Sequence, residues 1–314
     1  MVLPRPLTPT LSRREREPEA SAPMSLVPQL LFTGLGIGAI YALVALGFVL
    51  LIRAASVVNF AQGEFSMLGA YLMVILAGDL GVPYFVALPV AVALMAGFGL
   101  LFAGATYWPL RHRGQLPVII STIGASIFLS NFVLVAYGPS PQVLPGLFDN
   151  PGFEVGGVFM DSQYLSIIVA AAALVLLQYL IFEKTLLGKK LQATSQDKEM
   201  ASLLGIPVAV MVLITFGYSA ALGGLAGILV APVLFVSVGM GAIISLKAFA
   251  ANIIGGFGNI PGAILGGLAL GVVETFGAAY ISVPYKDALA FGLLLLFLLV
   301  RPQGLFGEKI AEKA

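Results

Sequence analysis

From Leu26 to Ile52 the chain carries no charged residue and is almost wholly apolar. A run of that length exceeds the roughly 20 apolar residues that cross a hydrocarbon core of about 30 Å. Eight further stretches approach the same length: Val57–Ala77, Tyr84–Tyr107, Leu116–Tyr137, Tyr164–Ile181, Val208–Val230, Ile243–Gly255, Ala263–Tyr280 and Ala288–Val300. The expected fold class is therefore an all-α polytopic integral membrane protein with eight or nine transmembrane segments. The late segments are short, and some read as broken or re-entrant helices, which a bundle tolerates only when protein or a cavity surrounds them.

Composition narrows the function. Hydrophobic residues make up 59% and charged residues 10% of the 314 positions, against about a quarter charged in soluble domains, which excludes a water-soluble enzyme. The absence of cysteine removes disulfides, thiolate metal sites and thiol catalysis. A single histidine, His112, leaves no histidine-based metal site or triad. No catalytic or metal-binding residue is expected. A formal net charge of +1 indicates no nucleic-acid partner.

The charges that remain draw the topology. Placing the 183–206 loop in the cytoplasm puts Arg53, Arg111, Arg113, Lys184, Lys189, Lys190, Lys198, Arg301, Lys309 and Lys313 inside and Lys286 outside, as the positive-inside rule requires. The 138–163 loop, with Asp149, Glu154 and Asp161 and no basic residue, then faces outward. Residues 1–23 hold four arginines and several prolines without apolar periodicity, so they read as a disordered tail or as residues upstream of a start at Met24. The membrane-spanning body runs over 24–307, followed by a cytoplasmic tail at 308–314.

Polar residues at membrane depth mark candidate sites. In the second span Asn59, Gln62 and Ser66 share one helical face, while Glu64 points nearly opposite. The face reads as pathway lining. Glu64 reads equally as a functional carboxylate or as a group satisfying helix-end donors. Lys247, Asn252 and Glu274 are the polar candidates of the second half. Lys247 either snorkels or pairs with Glu274, and Glu274 pairs either with it or with the neighbours of Glu64. Thr122, Ser126 and Ser130 form a stripe at i, i+4, i+8 whose hydroxyls more often bond within the bundle than line a pathway. The pairs Gly34/Gly38, Gly223/Gly227, Gly262/Gly266 and Gly267/Gly271 report close helix packing. Gly255–Gly262, five of whose eight residues are Gly or Pro, reads either as a helix break at depth or as a turn between two spans.

The 183–206 loop is the most specific feature. Lys189–Gly205 reads as one short amphipathic helix with apolar Ala193, Met200, Ala201 and Leu204, charged Asp197, Lys198 and Glu199, and a stop at Gly205-Ile-Pro207. Such a helix on the cytoplasmic side is a surface for a partner protein. No phosphate-binding loop, His-Glu-x-x-His or Gly-x-Ser-x-Gly motif occurs.

Four segments in order, Asn59-Phe-Ala-Gln-Gly-Glu64, Gln196–Gly205, Gly255–Gly262 and Arg301–Gly307, resemble the LivH-type permeases of branched-chain amino acid ABC importers. The resemblance implies a bacterial inner-membrane subunit with a cytoplasmic C-terminus. Its implied partners are a LivM-like second permease, two ATP-binding subunits and a periplasmic substrate-binding protein. ATP and Mg2+ would sit in the ATPase subunits, with no cofactor in this chain. Gln196, Asp197, Lys198, Glu199, Met200, Ala201 and Gly205 would form the coupling helix. A small amino-acid-like solute would cross by alternating access, past Asn59, Gln62, Glu64, Ser66, Lys247, Asn252 and Glu274. Many members have His where Gln62 stands, which argues against proton coupling there. Urea, short amides or aromatic acids are the alternative cargo. An ion-coupled secondary transporter is the alternative class, and the coupling segment discriminates against it.

Overall fold

Every apolar stretch becomes wholly or largely helical in the computed structural model, which describes residues 23–144, 146, 152–155 and 158–306. The two terminal tails, the start at Met24 and Asp149 bear on residues outside that set or at its edge, and Gly307 lies outside it. The helices are α1 (Pro23–Ala55), α2 (Gln62–Met73), α3 (Tyr84–Thr106), α4 (Gln115–Tyr137), α5 (Ser162–Lys184), α6 (Leu186–Gln196), α7 (Lys198–Leu203), α8 (Val208–Leu234), α9 (Met240–Gly255), α10 (Ile260–Tyr280) and α11 (Lys286–Val300). A π-helical turn, Val74–Asp79, extends α2.

Among the described residues, six helices are long and apolar enough to cross a bilayer: α1, α3, α4, α5, α8 and α10. The other expected spans are shorter. At 1.5 Å per residue, α9 with its 16 residues rises about 24 Å. The described part of the 138–163 loop contains an antiparallel hairpin, β1 (Gly152–Val155) and β2 (Val158–Asp161). Asp161 caps α5 by accepting from the Gln163 N–H at 2.7 Å. A bridge between Gln142 and Val236 ties the same loop to the end of α8.

Glycine lets α1 become the axle of the bundle. Its residues from Ile40 to Leu51 are almost completely buried by α8, α9, α10 and α5. A methyl group on Gly34 would lie 2.8 Å from Val272 Cα, and one on Gly38 would lie 2.7 Å from Leu268 Cα. Both distances are shorter than any carbon–carbon contact allows, so α1 and α10 meet backbone to backbone. Gly69 of α2 and Gly224 of α8 repeat the device, and Gly227 of α8 backs onto the Ser66 main chain. The small-residue pairs thus form seams, as their spacing predicts.

The outer layer is looser. Ile120, Ile127, Phe128 and Phe132 of α4 are exposed, which in a bilayer is the ordinary state of a lipid-facing side chain. Polar side chains attach α4 to the interior. Thr122 Oγ1 accepts from the Phe60 N–H at 3.2 Å, and Ser126 Oγ donates to Glu64 Oε1 at 3.1 Å.

Candidate functional site

The second span is not one helix. Its first residues, Ser56–Ala61, are irregular, and α2 begins only at Gln62. Two local causes act together. Ser56 adopts φ +59°, a left-handed conformation that ends α1. Asn59 Oδ1 accepts from the Ala61 N–H at 3.1 Å, the local turn with which asparagine competes against a helix. Asn59 therefore precedes α2, and the single helical face expected for Asn59, Gln62 and Ser66 does not exist.

Asn59, Gln62, Glu64 and Ser66 are nevertheless all buried, at 1% exposure or less. Gln62 is clamped: its Oε1 accepts from Ser219 Oγ at 2.8 Å and its Nε2 donates to the Ser219 carbonyl at 3.2 Å. Ser219 shares its hydroxyl with the Gly47 carbonyl of α1 at 3.1 Å, so one amide joins α1, α2 and α8. Glu64 stands in the first turn of α2, where the helix dipole favours a carboxylate. It reaches between Ser126 of α4 and Gly241 in the first turn of α9; a methyl on Gly241 would lie 2.6 Å from its Oε2. Among the described residues, Glu64 Oε2, Asn59 Nδ2 and Ser66 Oγ have no hydrogen-bond partner. A negative acceptor and a neutral donor, buried within a few residues of each other and not fully satisfied, are the groups that a zwitterion needs.

Two of the second-half candidates, Lys247 and Glu274, form a separate cluster. Lys247 does not snorkel. Its Nζ lies 2.6 Å from Glu274 Oε1 and 2.7 Å from Asp287 Oδ1, and the Tyr41 hydroxyl donates to Glu274 Oε2 at 2.8 Å. Lys286 adds a second cation 3.7 Å from Glu274. The cluster pins α1, α9, α10 and α11 together. Tyr41 and Asp287 carry no sequence signal for this role, because their partners are distant in the chain. Asn252 holds the α9–α10 turn: its Oδ1 accepts from the Gly258 N–H at 3.3 Å. That turn is sharp. Gly256 and Gly258 take φ of 112° and 80°, and Asn259 caps α10 through the Gly262 N–H at 2.9 Å.

The loop expected to hold one amphipathic helix contains two. Asp197 interrupts them in an extended conformation, and its Oδ1 accepts from the Glu199 and Met200 N–H groups at 2.9 and 3.0 Å, making it the N-cap of α7. Gly205, at φ +78°, and the Ile206 N–H bonded to the Ala201 carbonyl close the other end. Lys198 turns inward. Its Nζ donates to the Ala55 carbonyl at 2.8 Å and to Ser56 Oγ at 3.1 Å, and partial burial lowers its amine below the ordinary lysine value. Ala201 faces the bundle at 2% exposure, whereas Met200, Leu203 and Leu204 stand out at 54, 82 and 73%. Leu203 is the residue that sequence reasoning missed, because a helix starting at Asp197 presents a different face from one starting at Lys189. Exchanging Asp197 for alanine is expected to cost about 0.5–2 kcal/mol, read as earlier proteolysis of the α6–α7 segment.

A family model described as the permease component of branched-chain amino acid transport systems matches residues 30–298. The chain is 36% identical over 298 residues to the high-affinity branched-chain amino acid transport system permease protein BraD of Pseudomonas aeruginosa, covering 91% of this chain and 97% of that protein. It is 34% identical over 310 residues to LivH of Escherichia coli K12, with the same two coverages. The autoinducer 2 import system permease protein LsrD of Yersinia pseudotuberculosis is 28% identical over 251 residues, or 74% of this chain and 71% of that one.

Proposed function

Because the chain belongs to the family of branched-chain amino acid transport permeases, we propose that it forms one half of the membrane channel of an ATP-driven importer in a bacterial inner membrane. In this reading a LivM-like permease supplies the other half, two ATP-binding subunits supply the work, and a periplasmic binding protein delivers the cargo. The cargo is a branched-chain or closely related amino acid. The C-terminus and the α6–α7 segment face the cytoplasm, and the 138–163 loop faces the binding protein. ATP and Mg2+ stay with the ATPase subunits.

The observation that carries this reading is the construction of α7. Its apolar outer face, Met200, Leu203 and Leu204, is exposed among the described residues, while Lys198 and Ala201 fasten its inner face to the end of α1. A push on α7 is thus delivered to Ala55 and Ser56, four and three residues before Asn59 and nine and eight before Glu64. Within the bundle the Asn59–Glu64 groups receive the solute: Glu64 takes the ammonium and the Asn59 amide takes the carboxylate, with few fixed charges in the path.

The test is uptake of radiolabelled leucine into proteoliposomes holding the assembled complex. Uptake is expected to need the binding protein on one side and ATP on the side of α7. Uptake driven by an ion gradient without ATP would replace this reading with the ion-coupled one. Glu64→Gln keeps the size and the Ser126 hydrogen bond but removes the charge. A hydrogen bond to a charged group contributes about 1.5–3 kcal/mol, so uptake is expected to fall about tenfold or more with the complex intact. Unchanged uptake in Glu64→Gln would return Glu64 to a packing role.

A further inference from the structure

We propose that a glycerophospholipid occupies a specific groove between α1, α5 and α10, with its phosphodiester on Arg53 and an ester carbonyl on Gln178. Two cavities form the groove. The deeper one, about 560 Å3, is walled by apolar residues such as Leu35, Ala39, Leu43, Ala171 and Leu268. The other, about 380 Å3, contains Arg53 and Gln178. Val175, Tyr179 and Ile264 line both, so the two are one continuous slot. Along α1 it extends from Leu35 to Arg53, a rise of about 27 Å, enough for an extended acyl chain and its headgroup.

Gln178 is the observation that points to a ligand. It is 3% exposed, and neither its Oε1 nor its Nε2 has a hydrogen-bond partner among the described residues. An amide left so at membrane depth is costly unless something apolar in bulk brings a polar group to it. A lipid ester does that: its carbonyl oxygen accepts from the Nε2–H. The depths agree. Gln178 lies five residues inside Glu183 on α5, about 7.5 Å below the helix end where Arg53 stands, as glycerol esters lie below their phosphate.

The charge agrees as well. Arg53 donates from Nε to the Gly258 carbonyl at 2.7 Å, its one hydrogen bond among the described residues. It lines the cavity that also holds Gln178, and a guanidinium fork suits a phosphodiester. Glu183, the carboxylate lining the same stretch, is already held by Lys189 at 3.0 Å and by Gln192 at 3.2 Å. In the orientation proposed above, Arg53 lies in the cytoplasmic leaflet, but the groove itself does not depend on that assignment.

The complete complex in nanodiscs of phosphatidylglycerol, doped with phosphatidylglycerol bearing a mid-chain diazirine, tests the site by photolysis and peptide mapping. Labelling per residue of the 168–179 stretch of α5 is expected to exceed that around Phe128 and Phe132 of α4 about fivefold. Millimolar glycerol phosphate should leave it unchanged. Ala171→Trp, which fills the slot, and separately Arg53→Gln combined with Gln178→Leu, should each reduce groove labelling to the α4 level. Equal labelling of both faces overturns the proposal. So does displacement by glycerol phosphate, which identifies a soluble anion, and so does disulfide capture of Tyr179→Cys by the second permease in place of lipid. None of these readouts uses transport, so they stand apart from the outcome of the uptake assay.

Discussion

Exchanging Lys247 for methionine is expected to lower the stability of the permease by about 3–5 kcal/mol, the cost of leaving one member of a buried ion pair alone. Glu274, with its side chain 4% exposed, would keep only the Tyr41 hydroxyl and the more distant Lys286. Adding Glu274→Gln removes the stranded charge, yet its amide oxygen still accepts from Tyr41. The double variant should therefore recover most of the loss and retain ATP-driven uptake. The check is the temperature at which the detergent-solubilised complex loses its monodisperse peak. A single variant as stable as the native chain, or a double variant worse than the single, would show that the cluster does not hold α9, α10 and α11 to α1. Loss of uptake in a stable double variant would instead place Lys247 and Glu274 in the pathway.

The second large effect is expected at Leu203. An aspartate there leaves α7 capped by Asp197 and anchored through Lys198, so insertion and thermal stability should not change. Surface substitutions away from packing contacts stay within about 0.5 kcal/mol. Placed at the centre of an apolar contact with a partner subunit, the same carboxylate would be buried without a counter-charge, and central interface residues cost about 2 kcal/mol or more. Substrate-stimulated ATP hydrolysis by the assembled complex should drop about thirtyfold or further. Full stimulation in Leu203→Asp would mean that the outer face of α7 is not the surface through which hydrolysis is coupled.

The helices that span were legible because length and apolarity alone specify them: α1, α3, α4, α5, α8 and α10 stand within a few residues of the stretches read from sequence. Breaks were harder. Gly256 and Gly258 announce the α9–α10 turn, since glycine is the residue that adopts positive φ at no steric cost. The break before α2 has no such signal, because Ser56 holds a positive φ with help from Lys198, 142 residues away. The Asp197 break was readable in principle: an aspartate followed by Lys-Glu at the start of a helix is a capping pattern. It was hidden by the apolar rhythm that continues across it. Gln62 and Glu64 stood out as polar residues at depth, but only the fold shows that one is bound on both sides while the other keeps an open oxygen.

The central place of α1 sets a schedule for biogenesis. Gly38 leaves the ribosome 230 residues before Leu268, the residue it will touch. At roughly 5–20 residues per second, that is a wait of roughly 10–50 s. For α1 the delay is cheap, because an almost wholly apolar surface rests in lipid as well as in protein. For α2 it is not: Gln62 must pass the interval before α8 brings Ser219 with its amide unsatisfied or hydrated. The nascent chain therefore has one helix that can be released into the bilayer at once, and one that an insertase must shelter until α8 arrives.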